Sequence, residues 1–184
     1  MGQEAGSAIF EDERMAERSE ITVDEFQHWI EPLLDRAGAY AYAIVRSRED
    51  AEDAVQEAAL KAYRAFAHYD RSRSFKGWWF SIIRNCCLDL LRKRKTTPES
   101  QEELPDDLPS ARPDHRKNLE QRNLLAWALN RLDPAHREIL ELRYFGDCSY
   151  RDIATTLALP VGTVMSRLHA ARKALNVTLK GELQ

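Results

Sequence analysis

The sequence predicts an all-α protein made of two small helical domains joined by a flexible acidic linker. Three observations predict it. Apolar residues recur three and four positions apart in several stretches, the period of an amphipathic helix. Residues 96–114 carry Pro98, Pro105, Pro109 and Pro113 among many acids and almost no large apolar group, so they cannot build a core and read as a linker. The stretch from Ser149 to Lys173 holds two short amphipathic patterns separated by Ala158-Leu159-Pro160, which is the helix-turn-helix pattern. The predicted boundaries are a flexible tail over 1–20, a first domain over 21–95, the linker over 96–115 and a second domain over 116–180.

Composition narrows the function classes. Of 184 residues, 43% are hydrophobic, enough for real cores, and 31% are charged, which suits a soluble chain. No apolar run is long enough to span a bilayer and the N-terminus lacks a signal-peptide core, so the expectation is a cytoplasmic protein without membrane insertion. Cys86, Cys87 and Cys148 form no CxxC pair and no ligand spacing with the histidines, so neither a metal nor a disulfide framework is expected; buried, reduced thiols are. No cofactor motif is present. The net charge of −3 is an average over unlike segments. The N-terminal twenty-odd residues and the stretch 99–114 are acidic, whereas residues 76–95 and the helix-turn-helix are basic, and segregation of this kind is what polyanion binding needs.

The elements follow in order. Thr22 and Glu25 form a capping-box pattern, opening a helix with Phe26, Trp29, Ile30 and Leu33 or Leu34 inward. Pro32 should kink that helix or start a new one. A second apolar stretch runs from Ala37 to Val45. Ser47 caps a long helix from Arg48 to about Ala67, with Ala51, Val55, Ala58, Ala62 and Phe66 along one side. Asp50, Asp53, Glu57, Lys61 and Arg64 line the other. Acids near a helix N-terminus are favoured by the macrodipole, which accounts for part of that cluster. The Gln56-Glu57 pair midway along is not covered by that argument and reads as a docking face for a basic partner. No histidine, serine or metal motif accompanies these carboxylates, so catalysis is not expected.

After the polar loop from His68 to Ser74 comes a helix from Phe75 to Arg94, with Trp78, Ile82, Cys86 and Leu90 near one stripe and aromatics on more than one side. It ends in Arg92-Lys93-Arg94-Lys95. Aromatic rings interleaved with cations are the chemistry of single-strand binding, since bases stack on rings and cations hold the backbone. Beyond the linker, Leu119, Leu124, Leu125, Ala128, Leu129 and Leu132 mark another helix. Asp133-Pro134 caps the next, which carries Ile139, Leu140, Leu142 and Tyr144 and closes at Gly146.

In the helix-turn-helix, Ser149 has N-cap chemistry, Tyr150, Ile153, Ala154 and Leu157 form one face, and Val164, Leu168, Ala171 and Leu175 the next. The outward side of the second helix carries Gly162, Ser166, His169, Ala170 and Lys173, with Thr163 nearby and Arg167 and Arg172 on the flanks. A crest of small hydrogen-bonding groups between cations suits the DNA major groove.

Four stretches, in this order, resemble the extracytoplasmic-function (ECF) sigma factors, the minimal members of the sigma-70 family. They are DAEDAVQEAALKAY from Asp50, Phe75 to Arg94, Leu132 to Tyr144, and Ser149 to Ala174, and together the resemblance covers about residues 25–178. It implies a factor without an active site that binds core RNA polymerase and directs promoter-specific initiation. Asp50, Asp53, Gln56 and Glu57 would contact the clamp helices of the largest subunit, and the second domain the flap region. The loop His68 to Ser74 would hold a flipped non-template base. His68, Tyr69, Arg71, Arg84, Asn85, Arg92 and Lys93 would serve minus-ten recognition and melting. Arg151, Thr163, Ser166, Arg167, His169, Arg172 and Lys173 would read the minus-thirty-five element. The acidic linker would lie in the cleft used by template DNA and nascent RNA. An anti-sigma factor is implied as a partner, bound at an exposed Trp79 or at apolar helix rims.

The sequence departs from the family's pattern in places. Met165, His169 and Ala170 stand where a large or cationic residue is common, which rules out bidentate arginine contacts to guanine from those positions and shifts weight to Ser166, Thr163 and DNA shape. Ala158 replaces a turn glycine, so the residue beside it needs an unstrained backbone. Two other readings fit part of the pattern: a sigma-like decoy that occupies an anti-sigma factor, and a conventional helix-turn-helix repressor.

Overall fold

The computed structural model describes residues 23–96 and 124–182. The tail over 1–20, Thr22, linker residues 97–115 and Leu119 lie outside them, and Thr96, set in the linker by the sequence reading, is the last residue of a helix. Every regular element among the described residues is a helix. The first group comprises α1 (Val23–Ile30), a 3₁₀ turn (Glu31–Leu33), α2 (Leu34–Val45), α3 (Arg48–Phe66) and α4 (Phe75–Thr96). The second comprises α5 (124–130), α6 (Pro134–Tyr144), α7 (Tyr150–Leu157) and α8 (Val161–Glu182).

Local chemistry sets the helix ends. Pro32 sits in the 3₁₀ turn, where its missing N–H breaks the α-helical ladder and reorients the chain between α1 and α2. α2 stops at Arg46, which takes a left-handed conformation at φ 59°. The Ser47 side chain accepts from the Asp50 amide and starts α3. Asp133 accepts from the Ala135 amide at 2.9 Å, with Pro134 in the first turn of α6. Ser149 and Asp152 form a reciprocal capping box at α7.

The inward line of α3 is Ala51, Ala54, Ala58 and Ala62, ending at Phe66. These small side chains let α3 lie close against α2 and α4. At the open end of this group Phe26, Trp29, Phe66, Tyr69, Phe75 and Trp78 form a ring cluster, mostly edge to face, with centroids such as Trp29–Phe75 at 4.9 Å. In the second group α8 packs across α6 and α7, burying Val164, Leu168 and Ala171 against Ile139, Leu140, Leu142 and Ile153.

Four expectations change. Trp79 is 0% exposed, and Trp78, Ile82 and Leu90 are only half-buried. The buried stripe of α4 is Trp79, Phe80, Ile83, Cys86 and Cys87, because α2 and α3 cover one side of this helix and α7 another. Leu125 and Tyr144 turn outward, at 39% and 55% exposure. Gly146 does not supply a left-handed residue after α6. Asp147 does, at φ 50°. Between α7 and α8 the left-handed residue is Ala158 itself, at φ 52°. The three cysteines are free and buried.

The two groups are packed on each other, and one hydrophobic core runs from Phe26 through Phe80 and Ile83 to Ile153 and Leu168. α4 lies along α7, and α2 touches α6. Two glycines make the approach possible. A Cβ on Gly77 would stand 2.7 Å from Thr155 Cβ, and one on Gly146 would stand 2.7 Å from Phe80 Cε1.

Candidate functional site

On α3 the exposed side presents Asp53, Gln56 and Glu57, and Glu57 pairs with Lys61 at 3.3 Å. Asp50 differs from them. It is half-buried and held by Arg94, which also donates to the Val45 carbonyl at 3.3 Å, so it ties α3 to α4. Beside the acidic residues lies an open apolar groove of about 440 Å³ lined by Val23, Phe26, Ile30, Leu60 and Tyr63, with Leu60 55% exposed. On the other flank Asp53 and Glu57 share a cleft of about 660 Å³ with Arg92 and Lys93 of α4. The acid and basic surfaces, separate in the sequence reading, therefore meet along one cleft.

The loop from His68 to Ser74 is held by its own side chains. Asp70 accepts from the Ser72 amide at 2.9 Å and from its hydroxyl at 2.7 Å, and these bonds hold the Asp70 carboxyl below its usual range. Tyr69 lies 4.8 Å from Trp78, ring to ring, and donates to the Arg73 carbonyl at 2.5 Å. Burial pushes its phenol up. His68 is exposed, and Arg71 reaches back to Glu25 at 2.8 Å. Asn85 is exposed on α4, and Arg92 pairs with Asp89 at 2.9 Å. Arg84 is the exception in this set: its Nε stands 2.5 Å from Glu138 of α6.

On the helix-turn-helix, Ser166, His169, Ala170, Arg172 and Lys173 are exposed, and Thr163 and Arg167 are half-buried. Arg151 is exposed on α7. Met165 also faces out, at 54% exposure. Sequence reasoning set Tyr144 in the apolar pattern of α6 and gave it no part in this surface. Its hydroxyl accepts from Arg172 Nε at 3.1 Å, and its ring lies 5.9 Å from that guanidinium, so it fixes the direction of one flanking cation.

Sequence reasoning also missed the residues that join the groups. Thr156 Oγ1 lies 3.0 Å from the Gly77 carbonyl oxygen, Ser74 donates to Asp152, and Lys76 donates to the Asp147 carbonyl at 2.6 Å. Arg46 approaches Asn130 at 3.4 Å and Glu141 at 4.0 Å. A glycine inside the periodic pattern of α4 was the available signal, because such a residue marks a close approach.

The sequence and the fold both match known proteins. Residues 29–97 match Sigma-70 region 2, and residues 122–175 match Sigma-70, region 4. The ECF RNA polymerase sigma factor SigL of Mycobacterium tuberculosis is 33% identical over 151 residues, spanning 77% of this chain and 81% of SigL. The chain belongs to the ECF RNA polymerase sigma factors. The ECF sigma factor SigE of Mycolicibacterium smegmatis is 29% identical over 175 residues, which cover 92% of this chain and 66% of SigE. Among solved structures, a chain in the co-crystal structure of the sigma factor RpoE with the anti-sigma factor NepR from Bartonella quintana matches at a TM-score of 0.69 and 26% identity, over 86% of this chain and 98% of that one. In this ECF sigma factor the region 2 match takes in α2, α3 and α4, and the region 4 match takes in α6, α7 and most of α8. No described helix is long and apolar enough to cross a membrane, and the described residues hold no cluster of potential metal ligands.

Proposed function

We propose that this ECF sigma factor binds core RNA polymerase and directs it to specific promoters, and that an anti-sigma factor controls it. Asp53, Gln56 and Glu57 meet the clamp of the polymerase, with the apolar groove at Leu60 and Tyr63 as the hydrophobic complement to that acidic face. Asp50 contributes by holding α3 against α4 through Arg94. The 68–74 loop and the outer side of α4, with Trp78, Asn85, Arg92 and Lys93, engage the melted minus-ten strand. The crest of α8, with Ser166, His169 and Lys173 between Arg167 and Arg172, reads the minus-thirty-five duplex, and the second domain docks near the polymerase flap. The domains are those set out above, 21–95 and 116–180. The protein acts in the cytoplasm, and the bond-making chemistry belongs to the polymerase.

One observation carries this reading. A single chain exposes an acid-and-amide face on α3 and, on α8, a hydrogen-bonding crest edged by cations. A polymerase adaptor needs both, whereas a repressor has no use for the first.

Footprinting tests it. Duplex promoter fragments should be protected only when the chain and core polymerase are both present. Protection by the chain alone would instead support a repressor.

A further inference from the structure

The outward side of α8 carries large apolar side chains that the helix-turn-helix does not use. Val161 is 41% exposed and Met165 is 54% exposed, one turn apart on one row of the helix. The core side of α8 is already filled by Val164, Leu168 and Ala171. Gly162 stands three and four positions before Met165 and Ser166, so these three are neighbours on the surface, and all are exposed.

The fold does not require a glycine at 162. Its φ is not positive, and a Cβ there would meet nothing within 4 Å. A glycine in a helix weakens it, so the fold alone gives no reason for this one. Gly77 and Gly146 are different, because a neighbour inside the chain occupies the space where each would carry a Cβ. At Gly162 the missing side chain leaves a notch that opens outward, walled by Val161, Met165 and Ser166.

The polar groups around the notch fit a duplex lying against it. The Ser166 hydroxyl donates to the Thr163 carbonyl at 3.1 Å, so outward it offers lone pairs. Arg172 lies two turns beyond Met165 on the same side of the helix, and its Nε donates to the Tyr144 hydroxyl at 3.1 Å. A cation aimed in this way suits a phosphate, and phosphate contacts set the depth and register of a reader helix. The first turns of such a helix meet the base edges. The apolar group that an unmodified duplex presents in its major groove is the C5-methyl of thymine.

We propose that the notch at Gly162 is a seat for one thymine methyl group of the minus-thirty-five element, with the Met165 side chain closing over that methyl, so that this pair selects a T·A base pair at one position. The proposal rests on the reading of α8 as the minus-thirty-five reader and deepens it by one base and one contact. The missing Cβ lets the base edge come close, and the unbranched thioether of Met165 adapts its shape to the methyl. A protein partner would also take an apolar row, but the polar rim of Ser166 and Arg172 and the empty space at Gly162 suit a base edge better than an apolar side chain.

Uracil differs from thymine only in lacking the C5-methyl, so a uracil scan tests the proposal. The full chain on core polymerase first selects its element from a promoter duplex pool randomised across the minus-thirty-five region. Each thymine of the selected element is then replaced singly by uracil in a fluorescein-labelled duplex, and binding is measured by anisotropy. At one thymine the replacement should weaken wild-type binding about threefold to fivefold, which is what burial of one methyl is worth. Met165→Gln keeps the length of the side chain and makes its tip polar; it should bind the thymine and uracil duplexes within about twofold of each other. Gly162→Ala puts a methyl where the base's methyl would sit, so it should bind the uracil duplex at least as well as the thymine duplex, while its melting temperature holds or rises. Wild type indifferent to uracil at every position would overturn the proposal, and so would a Met165→Gln protein that keeps the full preference. If wild type is indifferent and Met165→Gln instead loses affinity for core polymerase, the apolar row is a protein contact and the proposal falls. A pool from which no common element emerges would strike the sigma-factor reading itself, and the proposal with it; an element that emerges but tolerates uracil throughout strikes the proposal alone.

Discussion

Thr156 Oγ1 lies 3.0 Å from the carbonyl oxygen of Gly77 and 2.9 Å from that of Asp152, so one hydroxyl proton bridges its own helix to the aromatic helix. The bond is buried, and it forms only because residue 77 has no side chain. The first helix of the helix-turn-helix is thereby fastened to the aromatic helix. The fastening decides which surfaces of the chain are open: the acid face of α3 and the crest of α8 are, and the Arg84 side of α4 is not.

Glu57→Lys is expected to weaken binding to core polymerase by at least tenfold while leaving the melting temperature within about 2 °C. The side chain is exposed and its Lys61 partner is on the same helix, so reversing it adds repulsion to a basic partner without disturbing the core. Affinity by fluorescence anisotropy and a thermal melt check both halves, and unchanged affinity would contradict the placement of the docking face.

The two adjacent tryptophans separate structure from binding. Trp79 is fully buried, so Trp79→Ala should cost about 3–5 kcal/mol of stability through lost packing and the cavity left behind. Trp78 is half-buried at the edge of the ring cluster. Trp78→Ala should cost less stability and, with the chain held on polymerase, weaken binding to a single-stranded minus-ten oligonucleotide by about tenfold. Denaturant titration and oligonucleotide binding measure the pair, and equal stability losses would contradict the burial pattern.

Glu141 gives a pH dependence of definite sign. It is 3% exposed, and burial pushes its carboxyl from 4.5 up to about 7, against the opposing pull of Arg137 and Arg46 and with added repulsion from Glu138. A carboxyl raised on folding binds its proton more tightly in the folded state. Its contribution is therefore fully present below the unfolded value and is lost as pH rises through about 7. Wild type should be more stable at pH 5.5 than at pH 8, relative to Glu141→Gln, by on the order of 1–3 kcal/mol. Chemical denaturation of both proteins at the two pH values measures the difference, and parallel profiles would contradict it.

Ala158 occupies a left-handed conformation that costs an L-residue about 1–2 kcal/mol, part of which a glycine loses again through its freer unfolded chain. Ala158→Gly should therefore stabilise the protein by about 0.5–1 kcal/mol and raise the melting temperature by a few degrees. A lowered melting temperature would contradict the turn geometry.

Much of the fold was legible because the signals are local. Ser47, Asp133-Pro134 and Ser149 marked helix starts, and Pro32 marked the break between α1 and α2. The exposed sides of α3 and α8 followed from helical period alone. Other features depended on tertiary partners. Trp79 looked outward because a single stripe was assumed for α4, but this helix is covered on two sides. Gly146 looked like a helix terminator, whereas its lack of a side chain serves the approach of Phe80. The pairing of Arg84 with Glu138 joins residues 54 apart in the chain, and no periodicity reports such a contact. The cleft shared by Glu57 and Arg92 arises for the same reason, from the crossing of α3 and α4.

Run-off transcription with core polymerase on a library of genomic promoter fragments tests the central claim most directly. Adding the chain should yield transcripts from a defined subset of fragments that share two short elements about 25 base pairs apart, and core polymerase alone should yield none of them. Transcript patterns that are the same with and without the chain, while it demonstrably binds core polymerase, would contradict the claim.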